Sequence, residues 1–508
     1  MKVPHRAVEI YGRLTEGRLA IVWVVALALA GIALRVWVLG TQLGALDSDE
    51  AVGALMARHV LDGEFPIFYW GQSYGGAQEA YITALAFAVF GSSVIVHKLV
   101  AIVLTVVAAG LTWRVGKRTI GDRAGALGAL LFWVWPATVI LRSTKGYAFY
   151  SFGLICCLLV VLLVLRLAEN AEFTDLVWLG VAAGMGWWAT MQTVLVIAPA
   201  CVWLVVRRPE ILKKAFVPAV FFVLGSLPWI AYNIQNDWIS LSVEVPPMPN
   251  NTYFDHIVGY FRNALPTALG LRVIGNQDWV LFGGVVGWVL YLALVVGLVW
   301  LVLRRPERTA PLIAVVATYP FILAFSPLSW YVINPRYLFF MIPLMALLLA
   351  WAMVRYRAEI PGVALCVALT VAGIWPHAQP AYGPWTEDYV PPWHLGTLVD
   401  DLEERGITRV FANYWTSYRI TFESEERVIA VAIGHQRYEP HATLVRSSGS
   451  PGYVIVAGSL TDARFRGILD TGDISYERFE TSNYAVYDLH EPLMPEHLPP
   501  DLWLPPEG

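Results

Sequence analysis

The sequence predicts a multi-pass α-helical membrane protein with about eleven transmembrane helices, followed by a small α/β domain. Two observations predict this class. Of the 508 residues, 57% are hydrophobic and only 15% are charged, whereas soluble proteins carry about 25% charged residues. The apolar residues also fall into separate runs long enough to cross a bilayer, and the chain becomes polar only after residue 376.

Composition also argues against other classes of protein. The net charge is only -4 and no basic run with interleaved aromatic residues occurs, so no nucleic-acid partner is expected. The four cysteines all lie in apolar spans without metal-ligand spacing, which predicts buried, unpaired thiols. The basic residues 1–18 precede an apolar run of about 20 residues, too long for the core of a signal peptide, so the first helix is expected to be retained.

About 20 apolar residues span the hydrocarbon core of a bilayer. Eleven such helices are expected within a transmembrane module of residues 1–376, near residues 19–40, 92–113, 123–141, 147–166, 175–190, 191–206, 214–232, 279–303, 310–326, 336–354 and 360–376. With the N-terminus inside, the inner segments hold eighteen lysines and arginines and the outer loops hold six. Because basic residues are enriched in cytoplasmic loops, the sequence predicts an N-in, C-out protein of the plasma (inner) membrane.

The first long outer loop, residues 41–91, opens with three carboxylates within four positions: Asp47, Asp49 and Glu50. A surface helix lying along the membrane plane is predicted next, because apolar residues recur there at helical spacing: Val52, Leu55, Met56, His59 and Val60. A second apolar helix is expected from about Gln78 to Phe90. Asp47 followed by Glu50 also has the form of a capping box, a structural alternative that leaves Asp49 as an additional acid.

Two further regions are predicted to lie on the outer side. Residues 233–278 form a second long loop with an irregular flap, marked by Pro246, Pro247, Pro249 and Asn250-Asn251. Residues 377–508 are expected to form an extracytoplasmic α/β domain with a largely parallel sheet. Its strands are predicted at 409–414, 427–433, 453–457 and 484–489, its helices near 395–402, 440–447 and 461–470, and its proline-rich tail, 492–508, is expected to be extended.

The chain resembles the GT-C glycosyltransferases in three features. It has an acidic pair after the first span, two helices in the first outer loop and an outer C-terminal domain. The chain is most similar to family 39, which is protein mannosyltransferase-like, and to the lipid A aminoarabinose transferase group. The motifs that match are Asp49-Glu50 with Ala57-Arg58 and Gly63, then Thr83–Gly91, and finally Asn334-Pro335-Arg336-Tyr337-Leu338. The chain departs from the family at Val52-Gly53, where a basic or aromatic residue is usual, and at Gly75-Gly76-Ala77, which replaces a Lys-Pro-Pro element and its phosphate-binding lysine.

The resemblance implies transfer of a hexose or pentose, with inversion, from a polyprenyl phosphate to a glycan, lipid or protein acceptor. Asp49 is implied as the general base that takes the proton of the acceptor hydroxyl, and Glu50 as a second catalytic residue. Substrate contacts are expected from Asp47, Tyr74, Gln78 and Glu79. No metal site is predicted, although Glu79 could hold a sugar hydroxyl or a divalent cation, or be a plain surface acid.

The leaving phosphate needs cationic partners, and arginine suits its geometry. The candidates on the outer side are Arg336, Lys145, Arg142 and Arg58. The structural alternative for Arg336 is an interfacial anchor, and for Arg58 an exposed position on the surface helix. At the level of the whole protein, two other classes stay open: a transporter or flippase for a lipid-linked saccharide, and a membrane scaffold whose outer domain binds partners.

Overall fold

The computed structural model describes residues 18–146, 148–242, 252–275, 277–304, 306–326, 329, 335–379 and 395–503. The predicted proline-rich flap, Asn334 and the basic residues before position 18 lie outside these ranges. The α-helices are α1 (Arg18–Leu39), α2 (Ser48–Leu61), α3 (Gln78–Phe90), α4 (Val94–Thr119), α5 (Asp122–Val134), α6 (Ala137–Ser143), α7 (Tyr150–Glu169), α8 (Phe173–Ala189), α9 (Val194–Arg207), α10 (Phe216–Gly225), α11 (Leu227–Gln235), α12 (Tyr253–Gly259), α13 (Leu265–Ala268), α14 (Gly284–Arg304), α15 (Pro306–Leu323), α16 (Ile342–Tyr356), α17 (Glu359–Ala378), α18 (Leu398–Glu404), α19 (Tyr414–Glu423), α20 (Glu439–Arg446) and α21 (Leu460–Thr471). The strands are β1 (Arg409–Ala412), β2 (Ile429–Ala432), β3 (Gly452–Val456), β4 (Tyr476–Thr481) and β5 (Tyr484–Leu489).

The chain divides into two compact units. The first, called the helical unit below, consists of residues 1–43, 101–144 and 150–378. The second, called the mixed unit, consists of residues 44–100, 145–149 and 379–508. The helices of the predicted first outer loop therefore belong to the same compact unit as the C-terminal sheet.

The helical unit contains most of the apolar helices. Over the described residues, five helices of the chain are long and apolar enough to cross a membrane, or up to seven if each of two bent helix pairs is one span. A helix occurs at each of the eleven predicted positions, although several are shorter than a full span. The number of crossings and their orientation stay predictions.

Glycines bring two helices of this unit into close contact. A Cβ built on Gly180 or Gly184 of α8 would lie 2.4 Å from Pro218 O or 2.3 Å from Phe222 O of α10. Helices in membranes associate through small residues because lipid supplies no hydrophobic drive between them. The glycines therefore allow the two backbones to approach as closely as they do.

In the mixed unit, α2 begins at Ser48, directly after the predicted cap Asp47. The next helix, α3, spans Gln78–Phe90 as the sequence predicts. The apolar stripe of α2, however, is covered by protein. Val52, Leu55 and Met56 are fully buried in one cluster with α3 and with Tyr418 and Phe422 of α19. The prediction that this stripe rests on the membrane is therefore wrong, because the C-terminal region supplies apolar side chains that remove it from solvent.

The C-terminal sheet has five strands in the order β2-β1-β3-β5-β4. β1 pairs in parallel with β2 and β3, whereas β3 with β5 and β4 with β5 are antiparallel. The sheet is thus mixed, and the prediction of a largely parallel sheet is wrong. The sheet differs from the prediction because of β4, a partly exposed strand of charged and aromatic residues that the sequence pattern did not indicate.

Candidate functional site

The acidic stretch lies at the first turn of α2. Asp47 is the N-cap: its Oδ1 accepts a hydrogen bond from Glu50 N at 2.9 Å, and Glu50 Oε2 accepts one from Asp47 N at 3.4 Å. The two side chains therefore form a reciprocal capping box, which satisfies amide groups that the start of a helix leaves unpaired. The structural interpretation of Asp47 and Glu50 is confirmed.

Glu50 is also the centre of a buried charge network. Its carboxylate is fully buried and accepts hydrogen bonds from Lys98 Nζ at 2.7 and 2.8 Å and from Gly146 N at 3.0 Å. Lys145 Nζ lies 3.5 Å from Glu50 Oε2 and donates to Asp47. Burial opposes the charge on Asp47, but the Lys145 ammonium outweighs it and holds the pKa of Asp47 below its ordinary value. Two acids and two lysines thus compensate one another.

Asp49 has different surroundings. Its side chain is 34% exposed, its carboxylate accepts a hydrogen bond from the Tyr414 hydroxyl, and Arg437 Nη2 lies 3.5 Å away. Arg437 Nε in turn donates to the Tyr414 oxygen at 3.0 Å. Tyr69 donates its hydroxyl hydrogen to the main-chain carbonyl of Asp49, which fixes the backbone at this position.

The groups around Asp49 keep their protonation states at neutral pH. Burial, reinforced by the Asp49 carboxylate, raises the pKa of Tyr414 above its ordinary value. Burial alone would lower the pKa of Arg437, but Tyr69, Tyr414 and Asp49 outweigh it and raise that pKa. Tyr414 therefore stays a hydrogen-bond donor and Arg437 stays a cation at neutral pH.

The other residues predicted for substrate contacts lie in the same unit with different exposures. Tyr74 is exposed, whereas Gln78 and Glu79 at the start of α3 are each only 5% exposed. Arg58 donates from Nε to Ser92 Oγ at 2.7 Å and from Nη1 to Phe422 O at 2.8 Å. These contacts give Arg58 a structural role between α2 and α19.

The remaining two predicted phosphate ligands belong to the helical unit. Arg142 lies in the last turn of α6, with its guanidinium 5.1 Å from the centre of the Tyr150 ring. Arg336 lies in the 3₁₀-helix Pro335–Met341, 5.0 Å from the centre of the Tyr337 ring. The structure thus brings Asp47, Asp49, Glu50 and Lys145 together in one unit, and it places Arg142 and Arg336 in the other.

A cavity of about 620 Å³ opens beside Tyr414. It is lined by segments that follow β1, β2 and β3, among them Asn413, Trp415, Gln436 and Ser459. The connection after β1 leads to β2 on one side, whereas the connection after β3 leads to β4 on the other side, so a switch point lies between β1 and β3. Crevices at the carboxyl ends of strands at such a switch point are the usual ligand sites of α/β sheets.

A second polar cluster, formed by His59, Glu426 and His441, lies at the other end of α2. Burial opposes the charge on His59, but hydrogen bonds to Glu426 and Glu64 outweigh it and raise the pKa of His59 to about 9. Burial also opposes ionisation of Glu426, yet its hydrogen bonds to both histidines lower its pKa to about 2. Without any bound ion, the cluster is therefore a charged hydrogen-bond network.

Sequence reasoning missed the partners of the three acids. Tyr414 and Arg437 are more than 360 positions from Asp49, and position 414 falls within a run predicted as a strand. Lys98 sits near the start of an apolar helix, where an interfacial lysine is the ordinary interpretation. The sequence did offer one signal for these partners, namely Lys145 between two predicted spans. Its pairing with Asp47 could be seen only in the fold.

The chain resembles the GT-C glycosyltransferases in fold and in part of its sequence, which confirms the resemblance expected from the sequence motifs. Residues 78–232 match the sequence profile of the family described as dolichyl-phosphate-mannose-protein mannosyltransferase. That match covers just under a third of the chain and begins after the acidic stretch. Among curated proteins, none is significantly similar to this chain in sequence.

Among solved structures, those of ArnT from Cupriavidus metallidurans are similar to this chain over most of its length. The structure of ArnT bound to undecaprenyl phosphate superposes with a TM-score of 0.59 at 13% identity, covering 92% of this chain and 97% of that one. Apo ArnT gives a TM-score of 0.61 at 12% identity, covering 92% and 98% of the two chains. At such low identity, the similarity establishes the fold.

Proposed function

We propose that this chain is a membrane glycosyltransferase of the plasma (inner) membrane that transfers a monosaccharide from a polyprenyl-phosphate carrier to an acceptor hydroxyl outside the cytoplasm. Asp49 is the general base. It takes the proton of the acceptor hydroxyl while the acceptor oxygen bonds to the anomeric carbon. The bond from that carbon to the phosphate oxygen breaks, and polyprenyl phosphate leaves with the electron pair. One displacement of this kind inverts the anomeric configuration.

The observation that carries the proposal is the different environment of each acid. Glu50 is fully buried and held by Lys98 and the Gly146 amide, and Asp47 is the helix cap and the partner of Lys145. Asp49 is the most exposed of the three, with 34% of its side chain accessible against 23% for Asp47. A base must reach the proton that it abstracts, so Asp49 is suited to the reaction and the other two acids hold the helix turn that presents it.

The donor class is supported by the comparisons and by the charge pattern. ArnT, whose fold this chain shares, has been crystallised with undecaprenyl phosphate, and the family matched by residues 78–232 is described by a dolichyl-phosphate donor. We propose Lys145 of the mixed unit as a cation for the donor phosphate, and Arg142 and Arg336 of the helical unit stay predictions from the sequence. Of these, Lys145 is 16% exposed and already held by Asp47, so phosphate binding there would compete with that pair.

The cavity beside Tyr414 is proposed as the acceptor site. Tyr414 lines the cavity and also donates a hydrogen bond to Asp49, so an acceptor held there has a direct route to the base. Trp415 and Trp503 offer aromatic faces, while Asn413, Gln436 and Ser459 offer hydrogen bonds. Aromatic faces combined with amides and hydroxyls suit a carbohydrate acceptor.

The decisive experiment is transfer of labelled sugar from a panel of polyprenyl-phosphate donors into membranes or purified acceptors. Asp49→Asn keeps the shape of the side chain and removes the base, so transfer is expected to fall by about a hundredfold to ten-thousandfold. Asp62→Asn, at an exposed position just after α2, is the matched control and should leave transfer unchanged. Full transfer by Asp49→Asn would refute the proposal.

The same assay separates the alternatives. A flippase would move the labelled donor across the bilayer without releasing polyprenyl phosphate, and a scaffold would do neither. For the acceptor site, Trp415→Ala is expected to raise the acceptor KM about tenfold, the effect of losing about 1.4 kcal/mol of binding, with the donor KM unchanged. Leu444→Ala, on the exposed face of α20, is the control; an unchanged acceptor KM in Trp415→Ala would exclude the cavity.

A further inference from the structure

Three side chains from separate segments converge on one point in the mixed unit. His59 comes from the last turn of α2, Glu426 from the turn before β2, and His441 from α20. His59 Nε2 lies 2.9 Å and His441 Nε2 lies 3.0 Å from the same atom, Glu426 Oε1. One ligand atom from each residue lies within 4.8 Å of the other two. We propose that His59, Glu426 and His441 form a binding site for one divalent transition-metal ion, with Zn²⁺ as the best match.

The distances are close to those of a metal centre. Two ligand atoms bound tetrahedrally to one zinc at about 2.0 to 2.1 Å lie about 3.3 Å apart. The two nitrogen–oxygen distances, 2.9 and 3.0 Å, therefore need to widen by only a few tenths of an ångström. The two histidine ligand atoms, which lie within 4.8 Å of one another, need to reach the same separation. A cation would take the place of the hydrogens that join the two imidazoles to Glu426.

The chemical types of the three ligands favour some metal ions over others. Two imidazole nitrogens and one carboxylate oxygen form a set that binds Zn²⁺ and related transition metals, with a fourth position for water. Ca²⁺ and Mg²⁺ prefer oxygen ligands alone, so they are poor matches. His441 is only 4% exposed, whereas the side chains of His59 and Glu426 are 14% and 25% exposed, which leaves the site a path for entry of an ion.

The surrounding groups would orient one ligand as metal sites require. His59 Nδ1 lies 2.8 Å from Glu64 Oε1, and the Tyr438 hydroxyl donates to that same oxygen at 2.7 Å. Histidine ligands usually donate their second ring nitrogen to a carboxylate, which fixes the tautomer and the ring plane. Trp70 packs edge-on against His59, with ring centres 4.9 Å apart, and stacks on Tyr438 at 3.9 Å. The ring of His59 is therefore held before any ion arrives.

A metal at this position would be structural. It would tie the last turn of α2 to α20 and to the turn before β2, and thus hold the helix that carries Asp49 against the segment that carries Tyr414 and Arg437. This inference does not depend on the proposed transfer reaction, because His59 lies in the last turn of α2 and Asp49 in its first turn. Metal binding and sugar transfer can therefore fail independently.

The test is made on the full-length protein purified in detergent, stripped with a chelator and dialysed. With Zn²⁺ alone as the probe, we expect one ion per chain by elemental analysis and by calorimetric titration, and with Co²⁺ alone the visible absorption of a four-coordinate ion. His441→Asn and Glu426→Gln should weaken Zn²⁺ binding by about a hundredfold or more, and Glu64→Gln by about tenfold to a hundredfold. His490→Asn, an exposed histidine of the same unit, is the matched control.

The outcomes are distinct. Stoichiometric binding that is lost in His441→Asn and Glu426→Gln and kept in His490→Asn supports the site. Binding of less than one ion per chain, or binding that His441→Asn leaves intact, overturns it and identifies the cluster as a metal-free ion-pair network. Because the wild-type protein is itself titrated after chelation, a variant that fails to fold does not remove the test.

Discussion

Replacing Glu50 by glutamine is expected to destabilise the first turn of α2 strongly. The carboxylate is fully buried and its partner Lys98 is only 3% exposed. Asp47, Glu50, Lys98 and Lys145 together carry two negative and two positive charges. Removing the charge of Glu50 leaves a net positive charge where water cannot reach Lys98, and breaking a buried pair in this way costs about 3–5 kcal/mol.

A second estimate limits this cost from above. Lys98 can escape an unpaired charge by losing its proton, and neutralising a lysine of ordinary pKa about 10.4 at pH 7 costs about 4.6 kcal/mol. The two estimates overlap, so the expected loss is about 3 to 4.6 kcal/mol. Removing both charges avoids the unpaired ammonium, and the double variant Glu50→Gln with Lys98→Gln is expected to recover at least half of the loss, because replacement of a whole buried pair is often nearly neutral.

The assay is hydrogen exchange of the amides of α2 in detergent-purified protein, which reports the free energy of local opening. Glu477→Gln provides the control, because Glu477 pairs with Arg405 at the surface, with side chains 60% and 46% exposed. Exposed pairs contribute at most about 1 kcal/mol, so this variant should leave the opening free energy of α2 unchanged. If Glu50→Gln exchanges as slowly as wild type, or if the double variant exchanges faster than the single one, the reasoning about the buried pair is wrong.

Two further predictions concern the same turn. Gly146→Ala is expected to lower the unfolding free energy by about 1–3 kcal/mol, because an added Cβ would lie 2.0 Å from His97 Nε2; chemical denaturation measures the loss, and the double variant with His97→Ala should relieve part of it. Lys145 holds the pKa of Asp47 below its ordinary value, so this pair stabilises the fold above about pH 4, the ordinary range of an aspartate, and the contribution is lost as the pH falls through the lowered value. Stability of Asp47→Asn should therefore depend less on pH in the acid range than that of wild type, and equal acid sensitivity would contradict the assignment.

Much of the architecture could be predicted from local pattern. Apolar runs of sufficient length gave a helix at each predicted position, because burial of an apolar segment depends mainly on its own composition. The start of α2 could also be predicted from local sequence, because the capping box needs only Asp47 and a glutamate three residues later. The helix that was predicted from about Gln78 to Phe90 spans those residues in the structure, because its apolar run is also a local signal.

The sheet shows where local pattern is insufficient. β4 consists mainly of charged and aromatic residues with only partial burial, so it lacks the apolar run that marks a buried strand. Its pairing with β5 comes from a hairpin whose turn includes Ser482 at a φ of 55°. The sheet is therefore mixed because of β4, a strand that forms by pairing with its neighbour β5.

The sequence by itself determined that a turn after the first apolar helix carries three acids and that Asp49 is the one not needed to cap it. Only the tertiary structure decided what each acid does. Glu50 meets Lys98 and Gly146, and Asp49 meets Tyr414 and Arg437, and these partners come from segments that are distant in the chain. The physical reason is that capping involves neighbours within one turn, whereas charge compensation and the convergence of His59, Glu426 and His441 require long-range folding that brings separate elements together.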